Sequence, residues 1–227
     1  DHMIIATGSE PVSLPDINID EESVISSKGA LSLDEIPDSL LIIGGGYIGL
    51  EMAYTYSALG SDVVIVELLD RLLPNMDKDL SGVAEQMMKR KRVEFHTGSK
   101  VTNIEGKDPF KVQIEGETDN EMEIEKVLLA VGRRATPPDC EIDIIGEDGR
   151  IEVDGKMRTT VDDVYAIGDV NEKSMLAHAA FKQAEIAVKD IVGEDVEEFS
   201  GNEVPAGIYT HPEMASIGLT EEDAREK

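Results

Sequence analysis

Few of the chain's 227 residues can form a disulfide or ligate a soft metal: the sequence has one cysteine, Cys140, and four histidines. A single cysteine excludes an intrachain disulfide framework and a cysteine-based zinc site, and it suits a reducing compartment. His2, His96 and His211 show no paired ligand spacing. We therefore predict no bound metal.

Long apolar runs are also missing. No stretch approaches the roughly 20 residues that a membrane-spanning helix requires, and the first residues lack the basic and apolar regions of a secretory signal. A hydrophobic content of 41% is still enough to bury a core, and the length lies between one large domain and two ordinary ones. We therefore expect a globular, soluble protein with a cytoplasmic location.

Basic residues are scarce, because 21 Lys and Arg oppose 48 Asp and Glu and leave a formal net charge of −27. This charge argues against binding of nucleic acid or of an anionic membrane, since both require a basic surface. It is compatible with a basic protein partner or simply with solubility. The one basic run, 89–92, ends a predicted helix, where cations complement the helix dipole.

Glycines are concentrated after the apolar run 40–43, where the sequence reads Gly44-Gly45-Gly46-Tyr47-Ile48-Gly49. In a dinucleotide-binding fingerprint, Gly44 allows a tight turn, Gly46 lets the backbone approach a pyrophosphate, and Gly49 lets the following helix pack close to the sheet. The helix N-terminus then offers unpaired N–H groups and its positive dipole end to the phosphates. The alternative is a glycine turn with a purely structural role.

An acidic residue stands where such a site needs one. Glu67 closes the next apolar run, 63–66, eighteen residues past Gly49. A carboxylate at this place can accept hydrogen bonds from the adenosine ribose hydroxyls and repels a 2′-phosphate. The predicted ligand is therefore NAD rather than NADP. The competing interpretation of Glu67 is a solvated charge at a strand end.

Strand and helix patterns alternate around this motif and predict an α/β fold with a Rossmann-like domain. A strand, the glycine turn, a helix to about Leu59 and a second strand form a right-handed crossover, and a second helix follows Asp77. Further segments are a third strand at 93–96, an antiparallel β-meander at 101–105, 110–115 and 122–125, and a buried strand at 127–131. Segments rich in proline, glycine and charged residues predict domain boundaries near residues 35 and 135.

The remaining segments resemble parts of a larger fold. Residues 2–9 have the pattern of a strand that runs into a glycine turn, 164–167 that of a strand, and 174–191 that of a helix. Residues 220–223 have the form of a capping box, yet only four residues follow them. We expect the chain to be a fragment that begins and ends in mid-fold.

Separated motifs occur in one order across nearly the whole chain, at 6–9, 44–51, 130–133, 165–169, 175–178 and 209–213, the last continuing to 218–221. Together they resemble the flavoprotein disulfide reductases with two dinucleotide-binding domains. Within that family the chain is most similar to the dihydrolipoyl dehydrogenases, the E3 components of 2-oxo-acid dehydrogenase complexes. Tyr47 departs from their usual aliphatic residue and resembles the nicotinamide-site gate of glutathione reductases.

The resemblance implies roles for residues in the NAD site. The glycine motif from Gly44 to Gly49 would hold the pyrophosphate, and Glu67 would bind the adenosine ribose. Glu51 would lie near the nicotinamide. Val101 and Gly132 would lie against the cofactor.

The resemblance also implies residues that contact FAD. The turn Thr7-Gly8-Ser9 and Asp169 would contact this cofactor, with Asp169 at its ribityl-phosphate region. The backbone of Met175, Leu176, Ala177 and His178 would line the isoalloxazine at a helix N-terminus, whose dipole stabilises negative charge on the reduced ring. The alternative for His178 is a helix-terminal residue without a chemical role.

By the same resemblance the chain has four segments. Residues 1–34 would be the end of an FAD-binding domain and a linker, 35–134 the NAD-binding domain, 135–203 a second segment of the FAD-binding domain, and 204–227 the truncated start of a dimerisation domain. The expected fold class is α/β, with a Rossmann-like NAD-binding domain, an antiparallel β-meander and a partial FAD-binding domain. The full-length protein would be a homodimer.

The full enzyme would oxidise dihydrolipoamide on a lipoyl domain and pass electrons through a redox disulfide and FAD to NAD⁺, with the E2 component as an expected partner. This chain has no cysteine pair, no second glycine-rich fingerprint and no downstream His–Glu dyad. We therefore expect no catalytic residue here and no thiol activity of the fragment alone. The alternatives are another NAD(P)H-dependent disulfide, peroxide or mercuric reductase, and a non-catalytic nucleotide-binding module.

Overall fold

The computed structural model describes residues 1–15, 17–107, 109–116, 120–139 and 144–227, so Cys140 lies outside the described residues. The chain divides into two compact units. The larger unit comprises Pro11–Gly132, Gly207–Ser216 and Thr220–Lys227. The smaller unit comprises Asp1–Glu10, Arg133–Ala206 and Ile217–Leu219.

Fourteen strands and five α-helices occur in the described residues. The strands are β1 (Met3–Ile5), β2 (Ser9–Pro11), β3 (Val24–Ile25), β4 (Ser39–Ile43), β5 (Asp62–Val66), β6 (Glu94–His96), β7 (Lys100–Gly106), β8 (Phe110–Glu115), β9 (Asn120–Ile124), β10 (Lys126–Leu129), β11 (Arg133–Ala135), β12 (Val164–Ala166), β13 (Ala206–Ile208) and β14 (Met214–Ser216). The helices are α1 (Ser27–Ala30), α2 (Tyr47–Leu59), α3 (Lys78–Arg90), α4 (Ala177–Ile191) and α5 (Glu221–Glu226). Short 3₁₀ helices span Gly168–Asn171 and Gly201–Glu203.

A five-stranded parallel sheet in the order β3-β10-β4-β5-β6 forms the centre of the larger unit. Its central strands are almost continuously apolar and buried, as is typical of parallel strands covered on both faces. Helix α2 connects β4 to β5, and these strands pair in parallel from Ser39↔Asp62 to Ile43↔Val66. The predicted α/β fold and its strand–helix–strand unit are confirmed.

An antiparallel sheet of β7, β8 and β9 follows in the same unit. Along β8, Phe110, Val112 and Ile114 are buried, and the residues between them are exposed. These three side chains belong to one hydrophobic cluster with Ile43 and Val66, the last residues of two parallel strands. The predicted β-meander is therefore present, and its inner face packs under the carboxyl ends of β4 and β5.

In the smaller unit, β1 and β12 pair in parallel from Met3↔Val164 to Ile5↔Ala166. Helix α4 contributes Ile186 and Ala187 to a buried cluster with Tyr165 of β12. In addition, β2 pairs with β11. Strands β13 and β14 pair with each other, and all their residues except Ala206 belong to the larger unit.

Two predicted boundaries differ from the structure. Residues 1–34 are predicted to be the end of one domain and a linker, with a boundary near 35, whereas Val24 and Ile25 form β3 and pair with β10, and the larger unit begins at Pro11. The side chain of Asp20 fixes the preceding turn by accepting three backbone N–H groups at 2.7–2.9 Å. The helix expected from Ser174 begins at Ala177, with Leu176 as its N-cap.

Helices in the described ranges are either too short or too polar to cross a membrane.

Candidate functional site

The glycine turn of the larger unit joins β4 to α2 and requires glycine at both of its ends. Gly44 has φ of +110°, and a Cβ there would lie 2.4 Å from the Ala130 carbonyl oxygen. A Cβ at Gly49 would lie 1.9 Å from the Gly44 carbonyl oxygen, so the first turn of α2 can pack against the strand end only with glycine at this position. Both positions agree with the geometric reasons for which the fingerprint uses glycine.

Gly46 differs from these glycines because space is open beside it. It is the N-cap of α2, and apart from Gly46 itself and its two chain neighbours, no atom of the described residues lies within 4 Å of the position that its Cβ would take. Within the described part of the chain, no side chain caps this helix N-terminus. The first N–H groups of α2 are therefore available to an external acceptor, and an anion can approach the backbone closely. This opening fits the pyrophosphate of a dinucleotide.

Glu67 lies at the carboxyl end of β5 and is only 8% exposed. Its Oε2 accepts the Gly45 N–H at 2.6 Å, and its Oε1 accepts the Leu69 N–H at 2.8 Å. The interpretation of Glu67 as a solvated charge is therefore wrong: its carboxylate ties the glycine turn to the end of β5. Each carboxylate oxygen can accept a further hydrogen bond, so a ribose hydroxyl remains a possible partner.

The other predicted residues of the NAD site lie on elements of this unit. Tyr47 and Ile48 are half-buried in the first turn of α2, and burial raises the pKa of the Tyr47 phenol. Glu51, one turn further along, accepts the Tyr209 backbone N–H at 2.9 Å through Oε1. Glu51 is thus linked to a distant segment, a contact that the sequence did not indicate.

Val101 lies in β7, and Gly132 follows the end of β10. Val101 packs against the hydrophobic cluster that contains Ile43 and Val66. Gly132 has φ of +130°, and its Cβ position has no neighbour within 4 Å among the described residues. Both positions are compatible with the predicted contact to a cofactor.

The predicted FAD residues lie in the smaller unit, and the structure brings some of them together. The Ser9 Oγ donates to Asp169 Oδ2 at 2.5 Å, and Arg133 Nε donates to the same Ser9 Oγ at 2.8 Å. Thr7 and Gly8 are fixed through their carbonyl oxygens, which accept the Thr136 hydroxyl and N–H, each at 3.0 Å. Arg133 was not predicted as a site residue, although it stands in the motif at 130–133.

The segment from Met175 to His178 leads into α4. Met175 and Leu176 are half-buried, whereas Ala177 and His178 are exposed. No side chain of the described residues caps the helix, which leaves its N-terminal N–H groups for an external acceptor. His178 Nε2 lies 2.7 Å from the Pro205 carbonyl oxygen, and Nε2 carries the proton because a carbonyl can only accept.

Residues 1–184 match the family model described as pyridine nucleotide-disulphide oxidoreductase. The chain belongs to this family. A dihydrolipoyl dehydrogenase of Halobacterium salinarum is 38% identical over 99% of this chain and 48% of its own length. One of Bacillus subtilis is 40% identical over 99% of this chain and 50% of its own length. The chain therefore spans about half the length of the curated relatives it matches.

A solved structure supports the same family. The HOCl-induced flavoprotein disulfide reductase RclA from Escherichia coli superposes with a TM-score of 0.84 at 29% identity, covering 100% of this chain and 53% of that chain. The predicted family and the predicted α/β fold class are confirmed. The names of the family and of this flavoprotein agree with NAD and FAD as the predicted cofactors.

Proposed function

We propose that the chain is part of an NAD-dependent dihydrolipoyl dehydrogenase and that its larger unit binds NAD. The observation that carries the NAD site is the open N-terminus of α2 at Gly46, beside a turn that the Glu67 carboxylate holds in place. The proposed dihydrolipoyl dehydrogenase activity rests on two relatives of that name that are 38% and 40% identical over 99% of this chain. The alternative reductases and the non-catalytic module are less well supported by these relatives.

In this proposal the α2 N–H groups and the Gly46 backbone bind the pyrophosphate, and Glu67 accepts a ribose hydroxyl. Glu51 and Tyr47 lie in the first turns of α2, on the nicotinamide side. Val101 and Gly132 contact the dinucleotide from the neighbouring segments. When bound, NAD⁺ supplies the hydride acceptor of the reaction.

The remaining proposals concern the longer protein. In it, Thr7 to Ser9, Asp169 and Met175 to His178 contact FAD, and dihydrolipoamide on a lipoyl domain is the thiol substrate. The E2 component of a 2-oxo-acid dehydrogenase complex is the partner, and the protein is a cytoplasmic homodimer. The four segments 1–34, 35–134, 135–203 and 204–227 keep their proposed domain roles, except that residues 11–34 join the larger unit, which begins at Pro11.

Binding of NADH and NADPH to the 227-residue chain tests the NAD site. We expect NADH to bind at least about tenfold more tightly than NADPH in fluorescence titrations at one ionic strength, because Glu67 repels a 2′-phosphate. Equal affinities would contradict the assignment of NAD.

A pair of glycine variants locates the site. We expect Gly46→Val to abolish NADH binding and to leave the thermal unfolding midpoint nearly unchanged, since the new side chain occupies the open space where the pyrophosphate binds. Gly82→Val in α3 is the matched control, because its Cβ position is also free of described neighbours within 4 Å. Normal NADH binding by Gly46→Val would contradict the proposed pose.

A further inference from the structure

Arg71 lies in the loop between β5 and α3, and its guanidinium is held by several acceptors. Its Nη2 lies 3.0 Å from the Pro74 carbonyl oxygen, 3.5 Å from that of Met76 and 3.1 Å from Glu222 Oε2. The side chain is only 18% exposed. Its Nε is buried without an acceptor among the described residues, so the guanidinium has a donor to spare.

The loop that carries Arg71 is bonded to the glycine turn on both sides of this residue. Two residues before it, the Leu69 N–H donates to Glu67, whose other oxygen accepts the Gly45 N–H. Two residues after it, the Leu73 N–H donates to the Gly45 carbonyl oxygen at 2.9 Å. A basic residue in the segment after the strand-end acid is the type of residue that accommodates a 2′-phosphate in NADP-binding sites. Arg71 therefore lies in the segment from which an arginine binds the 2′-phosphate in NADP sites.

Glu222 reaches this loop from α5, which is distant in the sequence. The Lys78 ammonium and the Arg71 guanidinium both bind the Glu222 carboxylate and lower its pKa, so the carboxylate is charged at neutral pH. The Glu221 N–H donates to Asp77 Oδ1 at 2.7 Å and adds a backbone attachment. A helix of six residues is marginal by itself, so these contacts hold α5 in place.

We propose that Glu222 withholds Arg71 from the 2′-phosphate of NADP, so that α5 reinforces the selectivity of this site for NAD. The inference rests on the proposed NAD site and adds a specificity-determining pair to it. Glu67 disfavours a 2′-phosphate by repulsion, whereas Glu222 removes the one arginine of this loop that could attract it. The pair neutralises the Arg71 charge and fixes the guanidinium on acceptors of the protein itself.

The experiment compares two carboxylates of the same helix. Glu222→Ala removes the carboxylate partner of Arg71, whereas Glu221→Ala removes an equal charge from α5 but breaks the Glu221 contact with Arg225. In titrations of the 227-residue chain, we expect Glu222→Ala to raise the affinity ratio of NADPH to NADH about tenfold, the gain expected from one charge-assisted phosphate contact. We expect Glu221→Ala to change it by less than about twofold.

Two further measurements identify Arg71 as the cause. The increase in the NADPH-to-NADH affinity ratio caused by Glu222→Ala should disappear when Arg71→Gln is added. It should also become smaller at high salt, because salt screens an exposed phosphate contact. A gain that survives Arg71→Gln, or equal gains in the two glutamate variants, would overturn the inference. Normal NADH binding with an unchanged ratio in Glu222→Ala overturns the inference alone. Failure of the unchanged chain to bind NADH overturns the proposed NAD site together with the inference.

Discussion

At the residue scale, the four glycines of the turn serve different physical purposes. Gly44 adopts a positive φ, and Gly49 removes a clash with the backbone. Gly45 avoids contact with a side chain, since its Cβ would lie 2.6 Å from Leu72 Cδ2. Only Gly46 has open space beside it. A substitution at Gly46 therefore affects the ligand, whereas substitutions at the other three affect the turn itself.

Glu67 couples the stability of the turn to its ligand. We expect Glu67→Gln to lower the free energy of unfolding by about 1–3 kcal/mol, because the amide leaves the Gly45 or the Leu69 N–H without an acceptor in a buried place. NADH affinity should fall as well. Urea unfolding and NADH titration of the same variant measure both effects.

Glu94→Gln is the control for this change. Its carboxylate lies on the neighbouring strand β6 and is 57% exposed, so the loss of its contact with His96 should cost less than about 0.5 kcal/mol. If Glu67 were only a ribose ligand, Glu67→Gln would weaken NADH binding and leave the unfolding free energy as unaffected as in Glu94→Gln.

At the element scale, the sequence predicted best those elements whose pattern is local. Strands β4 and β5 are continuous apolar runs, α2 ends at a glycine, and β8 alternates residue by residue. The strand β3 was missed, because two residues carry no periodicity and its position depends on pairing with β10 across about one hundred residues of chain.

Helix α4 shows a second limit of pattern reading. Gln183 is fully buried, and its Oε1 accepts the Gly168 N–H at 2.7 Å and the Asn171 side-chain amide at 2.9 Å. The pattern at 174–191 predicted the helix but gave no sign that Gln183 is buried. Apolar periodicity cannot find a polar side chain whose burial depends on hydrogen bonds that its oxygen accepts from residues elsewhere in the chain.

The attachment of α4 to β12 gives a pH-dependent prediction. The Asp190 side chain is 5% exposed and binds Arg158 and the Tyr165 hydroxyl, and Arg158 is the main reason that the pKa of Asp190 falls to about 2. Because the folded pKa lies below the unfolded value, this stabilisation is complete above about pH 4 and is lost as the pH falls toward 2. Its size is on the order of 1 kcal/mol, since Arg158 is half-exposed and screened by water.

Comparison of Asp190→Asn with the unchanged chain measures this contribution. The difference in free energy of urea unfolding should be constant from pH 5 to pH 7 and shrink between about pH 4 and pH 2. Asp162→Asn, which removes an exposed carboxylate just before β12, is the control for the loss of one negative charge. A difference that grows on acidification would contradict the lowered pKa of Asp190.

At the scale of the whole molecule, the site combines local motifs with contacts between distant segments. The sequence identified Gly44 to Gly49 and Glu67, because the strand, turn, helix and acid follow one another. It did not identify the hydrogen bond from the Tyr209 backbone N–H to Glu51 or the ion pair between Arg71 and Glu222. Both contacts join residues more than one hundred positions apart. Such contacts form only when the chain is folded, so spacing in the sequence carries no sign of them.

The division into two units predicts a local response to the cofactor, measurable by amide hydrogen exchange. NADH at about 100 times its Kd stabilises the folded site by about 2.7 kcal/mol, so amides that exchange by opening of the larger unit should slow by up to about 100-fold. The N–H groups of Gly45, Leu69 and Leu73 should show this effect, because their hydrogen bonds fix the glycine turn and its loop. The Gly168 N–H, which Gln183 accepts in the smaller unit, should be nearly unaffected. Gly46→Val should show no protection at any of these amides, and equal protection of Gly168 in the unchanged chain would mean that the two units open as one.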